Sequence, residues 1–399
     1  MLHSLLGNRD VSSDSIAPRR AKARVYHPEL DCLRCFAFLM IFVHHSMPHV
    51  PEVYTHMGVS AGLASALAAV GASGAFGVNL FFLLSAYLIT ELLMRERELT
   101  GGIALKKFYA RRVLRIWPLY YLFLAFAWVL QWLVPGQHIG WRAGLAFVFF
   151  VGNWWVVFVG FPSSVIFHLW FISLQEQFYL IWPSLMKRLR SRGIVLAASA
   201  MLGIAWLSRW YLVARHTWES KMWANTFVQL DGIAVGILLA IMLGGPLRIR
   251  RPLRVVLFIA GYACCLLAGS YFRIKADPLT VSRVMLGYPV AVLGGTAMFL
   301  AVFHPVEQDA SVSEIAASHW TAWPAAALAY LGRISYGLYV FHILGLMISD
   351  YTVQHQDSSL GRYLFRNGVA LAVTIVLATL SYYLLETPFL NIKKRFRTQ

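Results

Sequence analysis

Negative charge is what this chain has least of. Its 399 residues include 18 Asp and Glu against 35 Lys and Arg, and charged residues of both signs make up only 13%. A soluble domain of ordinary composition carries about 25%, so a surface wetted on all sides is excluded. Cysteine is scarce too, with four in the whole chain. Cys32 and Cys35 form a C-x-x-C at the mouth of an apolar run, yet no second Cys or His pair follows at zinc spacing, so the pair reads as filler and no metal site is expected. Cys264 and Cys265 fall in mid-run and read as small packing residues. Internal repeats, low-complexity tracts and polar stretches long enough to make a separate soluble domain are also missing.

What the chain has instead is apolar sequence, 59% of it, recurring from residue 36 to residue 390. That is the pattern of an all-α, polytopic transmembrane helical bundle. Eleven runs are long enough to matter: 32–51, 74–93, 113–134, 141–161, 167–186, 194–213, 224–243, 253–272, 283–303, 326–347 and 364–386. A net charge of +17 raises the possibility of nucleic acid, but the basic residues sit in short clusters between apolar runs, where they orient helices in a bilayer. No nucleic-acid partner is expected. The first 31 residues, with Arg19, Arg20, Lys22 and Arg24, hold no apolar signal core, so they are expected to stay as a cytoplasmic arm.

Charge parity then limits the count. Two crossings put Arg95, Arg97, Lys106, Lys107, Arg111 and Arg112 inside, and a third ends outside near Pro135. If the next two runs both crossed, the KRLRSR cluster at Lys187–Arg192 would face outwards, against the positive-inside rule. The run at 141–161 is the better one to exclude, being broken by Gly152, Asn153, Gly160 and Pro162 and rich in Trp. It is expected to be re-entrant or interfacial. About 10 transmembrane helices follow, and they place Arg248, Arg250, Arg251, Arg254 and the terminal KKRFR inside. The loop at 304–324 dissents mildly through Glu307, Asp309 and Glu314, residues that weigh little in the rule. The expected organisation is an arm at 1–31, a membrane domain at 32–390 and a basic tail at 391–399, with both termini cytoplasmic and the chain in the inner (cytoplasmic) membrane.

Polar residues inside such runs are costly and usually functional. In LDCLRCFAFLMIFVHH, Leu30 to His45, eleven residues turn a helix through three full turns over about 16 Å, which places Arg34 and His45 on one stripe and points His44 about 80° away. An imidazole is a natural general base for a hydroxyl and an arginine a natural phosphate clamp; the plainer reading is an inner anchor with Asp31 beside it and an interfacial histidine. Arg111, Arg112 and Arg115 cluster at the inner mouth of the third span, fit either to hold a polyphosphate or to orient the helix and bind lipid headgroups. Gln175, Glu176 and Gln177 cannot all face one way on a helix, so Glu176 is expected to face the bundle interior with a partner. Asp231 is a similar case. Ser335 and His342 share a face, with Tyr336 beside them, and hydrogen bonding between helices would account for all three. Glu386 before Pro388 reads as a partner for a basic neighbour.

Taken in order, these stretches resemble the acyltransferase 3 family of integral membrane O-acyltransferases, from Glu29 to Phe389. The resemblance rests on ELDxLR with a His eleven residues after the Arg, GVxLFFxLSxxLI, FYxRRxxRIxPxYY, HLWxxSxxEQFYLxWP, LDGxxxG, GRISYGLYxxH and a closing E-x-P-F. It implies His45 as the residue needed for acyl transfer, with Arg34 as its first-span partner. Arg111 and Arg112 take the family's acyl-CoA-handling arginine pair, Glu176 its EQFY glutamate, and Ser335 and Tyr336 its SYxxY stretch. The chain departs from the pattern at Cys32, Asn79, Ala86, Gln175 and Gln229. The family often carries an appended SGNH-type domain; none is visible here, and the membrane unit is expected to act alone.

The expected reaction moves an acyl group, acetyl above all, from acyl-CoA to a hydroxyl of a cell-envelope or exported glycan, possibilities that include lipopolysaccharide and a lipid-linked saccharide. No bound cofactor is expected, acyl-CoA being a co-substrate. Its phosphates would meet Arg34, Arg111, Arg112 and Arg115, and its pantetheine arm would run up between helices to His45, with Glu176 or a neighbour orienting the imidazole. An acyl intermediate on Ser335 or His45 is the second version. A polytopic transporter or exporter is the competing class, although the paired repeats usual in transporters are not visible.

Overall fold

The computed structural model describes residues 27–243, 249–275, 277–303, 323–353 and 359–393. The N-terminal arm through Arg24, Arg248, the loop bearing Glu307, Asp309 and Glu314, and the tail from Lys394 lie outside them. Among the described residues every regular element is helical. In chain order these are α1 (Pro28–Ser46), α2 (Pro51–His56), α3 (Ala61–Ser73), α4 (Gly77–Thr100), α5 (Leu105–Leu133), α6 (Trp141–Val148), α7 (Gly152–Phe158), α8 (Trp170–Arg188) and α9 (Ser191–Ala214). They continue as α10 (Glu219–Trp223), α11 (Leu230–Met242), α12 (Arg251–Leu266), α13 (Val281–Val302), α14 (Trp323–Arg333), α15 (Ser335–Thr352), α16 (Leu360–Ser381) and α17 (Thr387–Lys393).

The chain is a multi-pass membrane protein, but fewer helices qualify as spans than the ten expected. Six are long and apolar enough to cross: Ala61–Thr100, Leu105–Leu133, Ser191–Ala214, Arg251–Tyr271, Val281–Val302 and Leu360–Ile392. A seventh is reached if α14 and α15, bent by 79° at their junction, count as one. The other three expected spans fall on α1, α8 and α11. The first two carry polar side chains that their apolar partners do not offset, and α11 has only 13 residues, against the roughly 20 needed to cross a bilayer. The run at 141–161 forms α6 and α7, of 8 and 7 residues, each far short of that length.

α1 lies at the centre. Pro28 opens it, Glu29 and Asp31 occupy its first turn and His44 and His45 its last, in keeping with the helix dipole. It packs against α3, α4, α13, α14 and α15. These approaches are close because glycines in the signature stretches leave room: a methyl group at Gly77 would strike the Ala37 carbonyl, and one at Gly332 the Asp31 carbonyl. Gly236 lies equally close to Leu83 on α4, which explains the second glycine of LDGxxxG. α4 is largely buried, whereas α9, α12 and α16 turn much of their apolar surface outwards, as lipid-facing helices do. α4 ends on Gly101, whose φ of 73° closes the helix with a bond from its N–H to the Arg97 carbonyl.

The break between α6 and α7 has its carbonyls satisfied by side chains. Tyr120 donates to the Phe147 carbonyl (2.8 Å), Tyr121 to Val148 (3.0 Å) and Gln177 to Phe150 (2.8 Å). The three polar residues of α8 do point three ways. Gln175 bonds Ser85, Glu176 accepts from the Trp117 indole at 3.1 Å, and Gln177 holds the α6–α7 break.

Candidate active site

The last turn of α1 faces a cavity of about 190 Å³. Its walls include His44 and His45 from α1, His168 from the short turn before α8, Trp170, Trp223 and Lys275. Lys275 is paired with Glu219 and lies over the Trp223 ring at 4.3 Å. The imidazoles gather tightly. The His45 ring centroid is 5.0 Å from that of His342, and His168 is 4.8 Å from His342.

Two backbone carbonyls decide which nitrogens carry protons. His45 Nδ1 is 3.0 Å from the Ile41 carbonyl, and His342 Nδ1 is 2.6 Å from the Tyr339 carbonyl. A carbonyl only accepts, so both neutral rings carry hydrogen on Nδ1. His342 Nε2 is then a bare acceptor, 3.3 Å from His45 Nδ1. His45 Nε2 is left as the basic nitrogen. His44 lines the same cavity but is engaged elsewhere, with its Nδ1 donating to the Gly71 carbonyl at 3.1 Å and its ring stacked on His49 at 4.3 Å.

A second, smaller cavity of about 80 Å³ lies further down α1. Arg34, Arg112 and Arg115 line it together with Tyr179, Ser335 and Tyr336. Arg34 bonds Asp31 at 2.8 Å, and the Arg112 guanidinium covers the Tyr179 ring at 4.8 Å. Ser335 and Tyr336 open α15 at its sharp junction with α14, so the positive end of that helix dipole faces the same space as the three guanidiniums. Anions are what such a cavity takes. Among the described residues no group of three His, Cys, Asp or Glu is arranged to hold a metal ion.

The two cavities do not merge. Tyr339 belongs to the walls of both. Its hydroxyl donates to the His168 carbonyl at 2.5 Å, and its ring packs against Phe171 at 5.1 Å. Tyr339 therefore stands at the boundary between the arginines and His45.

Several anticipated residues stand apart from the histidine-lined cavity. Arg111 turns away to Glu96 at 3.2 Å, because that carboxylate on α4 reaches it first. Glu176 is held by Trp117 and lines neither cavity; the groups that orient His45 are the Ile41 carbonyl and His342. Ser335 sits in the arginine cavity, away from the histidines. Asp231 pairs with Arg209, whose guanidinium also meets the Val228 carbonyl and lies over the Tyr288 ring at 4.2 Å, a buried structural pair. His168, Tyr339, Trp223 and Lys275 were not singled out from sequence. HLW and GLYVFH, sitting in the two best-defined signature stretches, were the signals for the first two.

The chain is 26% identical to the peptidoglycan O-acetyltransferase OatA of Listeria monocytogenes over 94% of its own length and 58% of the relative's. A putative O-acetyltransferase of Staphylococcus aureus is 27% identical over 91% of this chain and 57% of its own, and the putative peptidoglycan O-acetyltransferase YrhL of Bacillus subtilis is 26% identical over 91% and 55%. The chain thus spans a little over half the length of these relatives. No solved structure matches it. The family profile described as an acyltransferase domain matches residues 27–386, nearly all of the described helices, and the chain belongs to the acyltransferase 3 family.

Proposed function

We propose that this protein transfers an acyl group, acetyl in the simplest case, from acyl-CoA supplied on the cytoplasmic side to a hydroxyl of a cell-wall or other envelope glycan. The observation that carries the reading is the division of labour along α1 and α15: an arginine-lined cavity below, and above it a histidine whose Nε2 is left basic. The names of the OatA and YrhL relatives, both peptidoglycan O-acetyltransferases, support the glycan acceptor. In this reading α1, α8, α11 and the α14–α15 pair complete a ten-helix bundle with both termini in the cytoplasm.

The arginines Arg34, Arg112 and Arg115 hold donor phosphates through charge-assisted bonds, and the α15 N-terminus adds its dipole. The acceptor enters the outer cavity, where Trp170 and Trp223 offer faces for a sugar ring. His45 Nε2 removes the hydroxyl proton as that oxygen attacks the thioester carbonyl. A new C–O bond forms, the C–S bond breaks, and the imidazolium returns its proton to the departing thiolate. The Tyr339 wall must move aside for the thioester and the hydroxyl to meet.

Purified protein incubated with acetyl-CoA labelled in the acetyl group tests this. Thioester loss that disappears in His45→Ala supports acyl transfer. Two cavities either side of one wall also suit a carrier, and uptake of ligand into vesicles without thioester loss would support that reading instead.

A further inference from the structure

We infer that His342 is the positioning residue behind His45, so that two neutral imidazoles do here what a histidine and a carboxylate do in many hydrolases. The inference rests on the acyl-transfer reading above but is read from separate geometry. A base that takes a proton on Nε2 becomes a cation, and it works best when an acceptor on Nδ1 both fixes the ring and stabilises that cation. Among the described residues, no carboxylate bonds the His45 ring. Its Nδ1–H is shared between the Ile41 carbonyl at 3.0 Å and His342 Nε2 at 3.3 Å.

His342 is built for that task. It is fully buried on α15, and its own Nδ1–H is tied to the Tyr339 carbonyl at 2.6 Å. That bond forces its Nε2 to be the bare, accepting nitrogen. The ring is held from two sides, edge-on by Phe38 at 6.3 Å and by His168 at 4.8 Å. With its tautomer fixed by backbone and its plane fixed by packing, His342 can only accept from His45. The pair draws electron density towards His45 Nε2 and spreads the charge that appears there during proton transfer. A neutral partner suits a site among apolar helices, where an unpaired carboxylate would be far more costly to bury. The tie to the Tyr339 carbonyl also fastens the dyad to the residue that separates the two cavities.

Two substitutions and two measurements decide it. His342→Phe keeps a ring and removes the acceptor; His342→Gln places an amide oxygen near the position of Nε2. Partners hydrogen-bonded behind metal-bound imidazoles are worth roughly 10- to 100-fold, and a fall in kcat of about that size is expected for His342→Phe, with KM for acetyl-CoA unchanged. His342→Gln should recover most of it. A His342→Phe enzyme within about twofold of the wild-type kcat overturns the inference, as does equal impairment of both variants, which would mark His342 as packing alone.

The second measurement needs no turnover. Diethyl pyrocarbonate acylates neutral imidazole nitrogens, and peptide mapping follows His45 separately. Its modification should slow several-fold in His342→Phe and recover in His342→Gln; an unchanged rate overturns the dyad. If His45→Ala still consumes acetyl-CoA, the acyl-transfer reading fails, while the modification rates still decide whether His342 governs the nucleophilicity of His45.

Discussion

The two cavities along α1 differ in almost every respect. The lower one is small, cationic and lined with hydroxyls; the upper one is more than twice as large, and its walls mix imidazole, indole and apolar side chains with a single lysine already paired. Yet the same two helices build both. α1 supplies Arg34 below and His45 above, and α15 supplies Ser335 and Tyr336 below and Tyr339 above, with His342 behind His45. On the proposed function, the difference teaches that anion holding and proton handling are separated along two helices rather than between domains. Each cavity should therefore fail in its own way.

The largest effect is expected in the upper cavity. General acid–base catalysis is worth about 10² to 10⁴-fold, and His45→Ala should lower acetyl transfer by about 10³-fold while the variant purifies with unchanged yield; initial rates of thioester loss check this. Next comes a position in neither cavity. Breaking a buried ion pair by removing one partner costs about 3–5 kcal/mol, so Asp231→Ala, which strands Arg209, should lower the melting temperature sharply. The surviving folded protein should keep its KM and kcat.

The lower cavity should answer differently again. A hydrogen bond to a charged group is worth about 1.5–3 kcal/mol, so Arg115→Gln should raise KM for acetyl-CoA about tenfold or more and leave the rate of His45 modification by diethyl pyrocarbonate unchanged. A loss of kcat at constant KM in that variant would break the division drawn here.

The smallest expected effect lies below both cavities. His27, just ahead of α1, is buried, which alone would lower its pKa, but contacts with Glu29 at 3.1 Å and Glu91 at 3.3 Å carry it up to about 9. A folded pKa raised above the ordinary 6.5 gives stability that is complete below pH 6.5 and lost as pH rises through 9. Thermal unfolding should show a loss of about 2 kcal/mol between pH 7.5 and 10 that His27→Gln lacks.

Much of the site was legible because charge in an apolar run is conspicuous. Arg34, Arg112, Arg115 and His45 all announced themselves in that way, and an eleven-residue spacing was enough to put the two α1 residues on one helix wall. Arg111 was expected beside Arg112 and Arg115 but does not line their cavity, for a local reason: helical spacing pairs it with Arg115, but spacing within one helix cannot see Glu96 on the helix before. His342 was visible as a residue and invisible as a partner, since 297 residues separate it from His45. The span count shows the same limit. α1 and α8 carry costly polar groups that find partners inside the bundle, so the apolar character that marks a lipid-facing helix is weakest in these central helices. The signature glycines were quoted as pattern; only the fold reveals them as the points where α1 meets α4 and α14 and where α11 meets α4.

Tyr339 has one more consequence. A membrane protein with one opening towards each compartment is a leak unless something insulates it, because a potential of 100 mV drives each elementary charge with about 2.3 kcal/mol. In the proposed reaction the wall shared by the two cavities includes the Tyr339 ring, braced by its hydroxyl on the His168 carbonyl and by Phe171. On the proposed function, an acyl group passes that wall by the swing of one side chain, and the same ring is what keeps protons and ions from following it.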